Sequence, residues 1–295
     1  MDKIIRCITS DGAIMASAVD ASDIVFTAQR LHKTSPCATA ALGRLLCAGS
    51  MMGMSLKQDK ARLTLQVNGD GPIGSVVVCA DSKGNVKGYV TNPDCPTEYY
   101  RNGKINVSEA VGKYGTLGVI RDYGTRDPYV GRVPLVSGEI AEDITSYYAT
   151  SEQIPTVCAL GVLVDKEDGK VLLSGGLLIQ LLPGADEGTI DKLEKNISEL
   201  EPVTTMFAKG MSILEICKTA LKGFEVEVLD EEKINYVCGC SREKIESYFA
   251  GLPEKELKAC VNENGVAEVK CQFCNKNYTF SEDDINEIIK NKNKK

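Results

Sequence analysis

Histidine is almost absent from this chain: His32 is the only one in 295 residues. No serine or cysteine is marked as a nucleophile beside it, so conventional histidine acid–base or nucleophilic catalysis is nearly excluded. A lone histidine on a helix reads as a packed or surface side chain, and no catalytic residue is expected. Excess positive charge is also missing. The 34 Lys and Arg stand against 41 Asp and Glu, a formal charge of −7. Polyanions are held by clustered basic residues, so nucleic acid is not the expected partner. The opening "MDKIIRCITSDG" carries Asp2, Lys3 and Arg6 and has no apolar run. It does not read as a secretory signal, and a cytoplasmic location is expected.

Hydrophobic residues make up 43% of the chain, ample for a buried core. The 12 cysteines are too dilute for a disulfide scaffold, and a reducing cytosol would keep most of them as thiols. Cys7, Cys37, Cys47, Cys79, Cys95, Cys158, Cys217 and Cys260 show no ligand-like spacing and read mainly as inert core residues. The stretch "CATAALGRLLCAGSMMGMSL", residues 37–56, imitates a membrane span, but Arg44 interrupts it. A helix that is apolar on every face is also what a position between two sheets requires, and that reading is preferred.

Residues 1 to about 185 alternate strand-like runs with turn signals. "ARLTLQVN", "SVVVCA" and "NVKGYVT" are rich in β-branched residues, and "TVCALGVLVD" with "KVLLSGGLLIQLL" forms a hairpin pattern across "KEDG". Helices are expected over "SDIVFTAQRLHK", with Ser22 as N-cap, over the apolar stretch, and over "EIAEDITSYYATSEQ". The fold class is therefore α+β, with at least one helix packed inside sheets. From about 186 to 232 come short amphipathic helical pieces, "TIDKLEKNISEL", "VTTMFAKG" and "SILEICKTALKG". Each is too short to be stable alone in water, so its order must come from docking. The last sixty or so residues form a second unit, too small to rely on its core and able to use a metal. "GDGPIG", with Gly69, Gly71 and Gly74, matches a dinucleotide fingerprint in letters only. The β-branched "SVVVCA" follows it where a phosphate-binding helix would have to open, so it reads as a hairpin turn.

The chemistry lies near the C-terminus. Cys238 and Cys240 in "YVCGCSREK", and Cys271 and Cys274 in "VKCQFCNKNYTF", offer four soft ligands in two close pairs. This is the pattern that closes a tetrahedral Zn²⁺ site. The second pair is expected on a strand-turn-strand knuckle, followed by a Ser281/Asp284 capping box, whereas a thioredoxin-type motif opens a helix. Gly239 would let the first pair bend, and Arg242, Lys244, Lys270 and Lys276 are close in sequence to offset thiolate charge. An all-cysteine site is usually structural. Yet a Cys-Gly-Cys disulfide closes a very small ring that is easily reduced, and exposed zinc-bound thiolates can be oxidised with loss of the metal. Losing the metal would unfold so small a unit.

These residues resemble a known family, the redox-regulated heat-shock chaperones of about thirty-three kilodaltons. The resemblance extends over almost the whole chain through "ALGRLL" (41–46), "GDGPIG", "YYATSEQIPT" (147–156), "GGLLIQLLPGA" (175–185), "CGCSRE" and "CQFCNKNYTF". It implies a chaperone core over 1–185, layered as sheet, helix and sheet, a helical linker over 186–232, and a zinc-binding redox-switch domain over 233–295. It further implies an ATP-independent holdase, not an enzyme, for unfolding client proteins in oxidative stress. Cys238, Cys240, Cys271 and Cys274 would bind one Zn²⁺ in the reduced, inactive state. On oxidation Cys238 would pair with Cys240 and Cys271 with Cys274, the metal would leave, the switch domain and linker would unfold, and two copies would associate. Cys260 departs from the pattern; it is expected on the inner face of a short helix starting near Pro253. Two other readings of the four cysteines stay open: a zinc ribbon binding RNA or protein, weakened by the acidic "SEDD" after Tyr278 and Phe280, and a thiol-disulfide oxidoreductase using Cys271 and Cys274.

Overall fold

Strands β1 (Lys3–Thr9) and β2 (Ile14–Asp20) are apolar on both faces. Ile4 and Val19 enter one core, while Ile5, Cys7, Ile14, Ala16 and Ala18 enter another. The period of two thus divides each strand between two layers, and both must be covered. The structure, a computed structural model, describes residues 1–124 and 127–292. It divides the chain into two compact units, Met1–Val237 and Cys238–Lys295.

Helix α1 spans Ser22–His32. Ser22 is its first residue and not its cap; its hydroxyl donates to Asp20 at 2.8 Å. The Asp2 carboxylate, carried alongside by the start of β1, accepts instead from the Asp23 and Ile24 amides at 3.0 and 2.7 Å. A carboxylate is the better acceptor at the positive end of a helix, so the tertiary cap displaces the local one. Helix α2 (Pro36–Met54) begins with Pro36 behind the Ser35 cap. It has the length and composition of a membrane span, yet 94% of its most apolar window is buried inside the protein. Gly53 permits that closeness: a Cβ there would stand 2.6 Å from the Asp81 carbonyl oxygen. Arg44, the one charge on α2, is paired through its Nη1 at the edge of the layer with the Glu139 carboxylate and with the Glu139 carbonyl at 3.1 Å, while its buried Nε has no hydrogen-bond partner among the described residues.

The second sheet is built from β3 (Arg62–Gly69), β4 (Ser75–Asp81) and β5 (Val86–Val90). After the short helix α3 (Val107–Val111) it is completed by β6 (Gly115–Asp122) and β7 (Tyr129–Pro134). Its order is β5-β4-β3-β6-β7, every pairing antiparallel. Of the "GDGPIG" glycines, Gly69 closes β3 while Gly71 and Gly74 lie in the β3–β4 connection, with Asn68 paired to Ser75. Strand follows the glycines, so no helix N-terminus is available to a pyrophosphate.

Helix α4 (Ala141–Tyr147) runs into a π-helical turn at Tyr148–Glu152. The fully buried Asp143 organises its entry, accepting from the amides of Val136 (2.8 Å), Ser137 (3.1 Å) and Ile140 (2.9 Å). Asp143→Ala leaves these amides without their acceptor and is expected to cost about 3 kcal/mol or more, read as a lower denaturant midpoint with unchanged slope. A midpoint within error of the parent would show that water replaces the carboxylate.

The hairpin β8 (Thr156–Val164) and β9 (Val171–Leu181) joins the first sheet beside β2. Helix α2 packs against β8, β9 and β2 on one side and β3, β4 and β5 on the other. The layering sheet, helix, sheet is therefore present. Helices α5 (Glu187–Ser198), α6 (Val203–Ala208) and α7 (Ile213–Ala220) cover the opposite face of the first sheet. Leu193, Val203, Met206, Ile216 and Ala220 meet Ile5, Ala16, Leu177 and Ile179 there.

The end of the expected helical linker is not helical. Residues Val226–Lys233 form β10, which pairs antiparallel with β1 as an edge strand. Charged side chains suit an exposed edge, and three of them find partners: Lys3 with Glu231, Arg6 with Asp230, and Ser10 with Glu227. Beyond it Ile234 is buried in the main core and the Tyr236 hydroxyl donates to the Gly88 carbonyl at 2.8 Å. Residues 233–237 therefore pack with the larger unit and not with the C-terminal one.

The smaller unit contains α8 (Arg242–Phe249), α9 (Glu254–Ala259), β11 (Val266–Lys270), β12 (Asn277–Ser281) and α10 (Glu282–Lys292). Its core is Ile245, Phe249, Leu257, Ala267, Tyr278, Phe280, Ile285 and Ile289. The capping box at the start of α10 is formed: Ser281 N and Oγ donate to Asp284 at 2.8 and 2.9 Å, and the Asp284 amide donates to Ser281 Oγ at 3.2 Å.

Candidate metal centre

Cys238 and Cys240 lie in the extended segment before α8, whose Ser241 cap accepts from the Lys244 amide at 3.3 Å. Cys271 and Cys274 occupy the turn between β11 and β12. The Cys271 amide donates to the Lys276 carbonyl at 3.0 Å and the Asn275 amide to the Cys271 carbonyl at 2.8 Å. Asn275 takes the left-handed conformation, φ 58°, that such a tight turn needs and that asparagine tolerates. Two local structures thus aim two sulfurs each at one point.

All four Sγ atoms lie within 4.8 Å of one another, with Cys238 and Cys271 3.6 Å apart and Cys240 and Cys274 3.4 Å apart. Four thiolates around a tetrahedral Zn²⁺ at about 2.3 Å stand about 3.8 Å from each other. The cluster is close to that spacing and well beyond the roughly 2.0 Å of a disulfide. Four soft donors without a carboxylate or imidazole suit a thiophilic ion, and four ligands leave no open position for substrate. The sequence-assigned ligands are brought together, and the cluster can hold a metal ion.

The surroundings differ from expectation in three places. Gly239 does not occupy the left-handed region, and a Cβ there would meet only the Lys244 ammonium at 3.3 Å, so the bend between the first two cysteines does not depend on glycine. Arg242 is engaged elsewhere, by Asp284 at 2.8 Å and the Phe280 ring at 4.3 Å, so it does not serve the sulfurs. Cys260 is the C-cap of α9 and exposed; Leu257, not Cys260, fills that helix's inner face.

Sequence reasoning missed Tyr278 as part of the site. Its hydroxyl donates to Cys240 Sγ at 3.1 Å. The available signal was its position on the strand that returns past the Cys271–Cys274 turn. Burial raises the Cys240 thiol, but the bond from Tyr278 and those from the neighbouring thiols outweigh it and bring Cys240 down to about 7. Burial, with bonds given to the other thiols, pushes Cys274 up to about 12. Hydrogen bonds to a ligand atom orient it and tune its affinity. Tyr278→Phe is expected to weaken metal binding about tenfold in competition with a chromophoric chelator; unchanged affinity would make Tyr278 a core residue only.

Cys37 and Cys47, outside the cluster, are poor nucleophiles. Burial pushes Cys37 and Cys47 up to about 12. His32 Nε2 is hydrogen-bonded to the Tyr236 hydroxyl at 3.2 Å.

The profile of the family described as Hsp33 protein matches residues 2–281. The 33 kDa chaperonin of Clostridioides difficile strain 630 is 46% identical over 98% of this chain and 99% of its own length. That of Clostridium perfringens strain SM101 is 47% identical over 99% of this chain and 93% of its own. Among solved structures, the 33 kDa chaperonin (heat shock protein 33 homolog) from Thermotoga maritima superposes with a TM-score of 0.90 at 35% identity, covering 99% of both chains. The sheet–helix–sheet core, the four converging cysteines and matches of this extent lead to one conclusion: the chain belongs to the Hsp33 family.

Proposed function

We propose that this protein is a redox-regulated, ATP-independent chaperone that holds unfolding client proteins during oxidative stress in the cytoplasm, and that it is not an enzyme. The observation that carries the reading is the convergence of Cys238, Cys240, Cys271 and Cys274 in a unit whose own core is small. In the reduced state these thiolates hold one Zn²⁺, which when bound supplies a four-way cross-link that folds the unit. Oxidation joins Cys238 to Cys240 and Cys271 to Cys274. Each pair of thiolates gives up two electrons as its sulfur–sulfur bond forms, and one hydrogen peroxide takes up those electrons with two protons from water, its O–O bond breaking to give two waters. The four donors are then gone and the unit loses its tie. The shortest sulfur contacts run across the pairs, but once the cluster opens, residues two or three apart in the chain stay close while the cross partners separate.

Helices α5, α6 and α7 precede this unit in the chain and hold to the first sheet by their inner faces alone. Undocking exposes those faces and the sheet beneath, an apolar surface for unfolded clients. Beside α5 a groove of about 490 Å³, lined by Pro155, Val157, Ile179, Leu193 and Ile197 among others, already extends it. Two oxidised copies associate through the same kind of surface. The test is light scattering of a thermally unfolding client with reduced, zinc-loaded protein and with the same sample after peroxide. Suppression is expected only after oxidation. Equal behaviour in both states returns the cysteines to a static structural role.

A further inference from the structure

Strand β8 ends the first sheet on the side away from β10. In an edge strand alternate residues turn their amide and carbonyl groups outward, where no neighbouring strand meets them. The other edges of the two five-stranded sheets are guarded: β10 carries Glu227, Asp230, Glu231, Glu232 and Lys233, β5 is five residues long with Lys87 among them, and β7 holds Arg132 and Pro134. β8 reads "TVCALGVLV", nine residues without a charge or a proline. Beyond its pairing with β9, the backbone of residues 157–164 has no hydrogen-bond partner among the described residues.

This edge borders a cleft of about 320 Å³, lined without a break by residues 160–164. On one side stands the turn over 99–105, closed by the Tyr99–Ile105 bridge and by the Tyr100 amide donating to the Lys104 carbonyl at 2.8 Å. On the other stands the start of α6, which lies close because Gly161 has no side chain: a Cβ there would be 2.6 Å from Thr204 Cγ2. A recess between two such walls admits one extended chain. It does not admit the edge of a second sheet, whose own neighbouring strand and covering helices would strike them. Lys104 and Lys166 also line the cleft, without an ion pair among the described residues and against the single acid Asp165. The Lys166 ammonium reaches across to the turn, 4.0 Å from where a Cβ on Gly103 would stand.

We propose that the outer edge of β8 is a strand-addition site, which takes one extended, apolar segment of an unfolded protein and sets an acidic residue of that segment against Lys104 and Lys166. Main-chain pairing supplies the binding and is blind to most of the sequence, which suits a surface that must accept many different chains. Five residues of edge span only about 14 Å, enough for a short contact and not for holding a whole client. That the segment belongs to a client rests on the function proposed above; the strand addition itself needs neither oxidation nor loss of metal.

The probe is a fluorescent eight-residue peptide, three valine-threonine repeats followed by two glutamates, titrated into the full, reduced, zinc-loaded protein and read by anisotropy. Saturable binding is expected, with amide exchange across 157–164 about tenfold slower when the peptide is bound. N-methylation of the four central peptide amides removes the donors and keeps the side chains, and should weaken binding more than about tenfold. Lys104→Glu with Lys166→Glu should weaken it about tenfold; both lysines are exposed, so the variant should fold as the parent does. No saturable binding, equal binding of the N-methylated peptide, or exchange across 157–164 unmoved by a bound peptide overturns the proposal. Protection of the same segment without peptide, in a dimer seen by sedimentation, gives the edge to a second copy and overturns the assignment of the occupant. Failure of the chaperone reading would appear separately, as client aggregation that neither redox state suppresses while the peptide still binds.

Discussion

Removing the metal with a strong chelator, or replacing Cys271 by serine, is expected to unfold Cys238–Lys295 while Met1–Val237 stays folded. The two units are separately compact, and the smaller relies on eight buried apolar side chains. A structural zinc contributes on the order of 10 kcal/mol or more to folding a unit of this size, more than such a core leaves in reserve. The serine variant keeps the shape of the site but loses one soft anionic donor. Limited proteolysis should then cut beyond Val237 and spare the rest, and the main thermal transition should survive. A C-terminal unit that resists protease without metal would remove the physical basis of the proposed switch, because nothing would be left for oxidation to release.

Ile216→Asp should open the larger unit without any oxidant. Ile216 is fully buried against the first sheet, at the centre of the inner face of α7. An unpaired carboxylate there costs several kcal/mol, more than an eight-residue helix can recover by propensity. The cheaper outcome is that α7 leaves, uncovering Ile5, Ala16 and Leu177. Reduced, zinc-loaded variant should therefore suppress client aggregation before peroxide is added, with amide exchange across 186–232 at least about tenfold faster. Fast exchange without suppression would show that this face is not where clients bind.

Much of this arrangement is legible in local pattern. The β3–β4 hairpin follows from β-branched runs around a Gly-Pro turn, and α2 as a central layer follows from a stretch apolar all round with one peripheral arginine. The convergence of the four cysteines is legible because each pair is held by its own short structure. What was not legible depends on partners remote in the chain. Asp2 caps α1 because β1 brings it there, which makes the local candidate Ser22 redundant. The segment 226–233 follows a helical stretch in the sequence, yet the open edge of β1 draws it into the sheet. Cys260 has a helical neighbourhood but falls just past the end of α9, three residues beyond the buried Leu257. The contact of Tyr278 with Cys240 joins residues that no spacing rule connects.

The first sheet has a further consequence for how the chain is made. Its strands come in the spatial order β10-β1-β2-β9-β8, so β1 and β2 leave the ribosome long before their neighbours exist. Ala18 must wait for Leu177, and Ile5 for Glu231. Such non-local pairing makes folding slow and leaves early strands unsatisfied for most of synthesis. Helices α5–α7 are laid onto a sheet whose middle is complete, β10 then seals its edge, and the cysteine-bearing unit emerges last. Parts added after the foundation can be withdrawn without disturbing it. The release proposed above would run through these parts in the reverse of the order of translation.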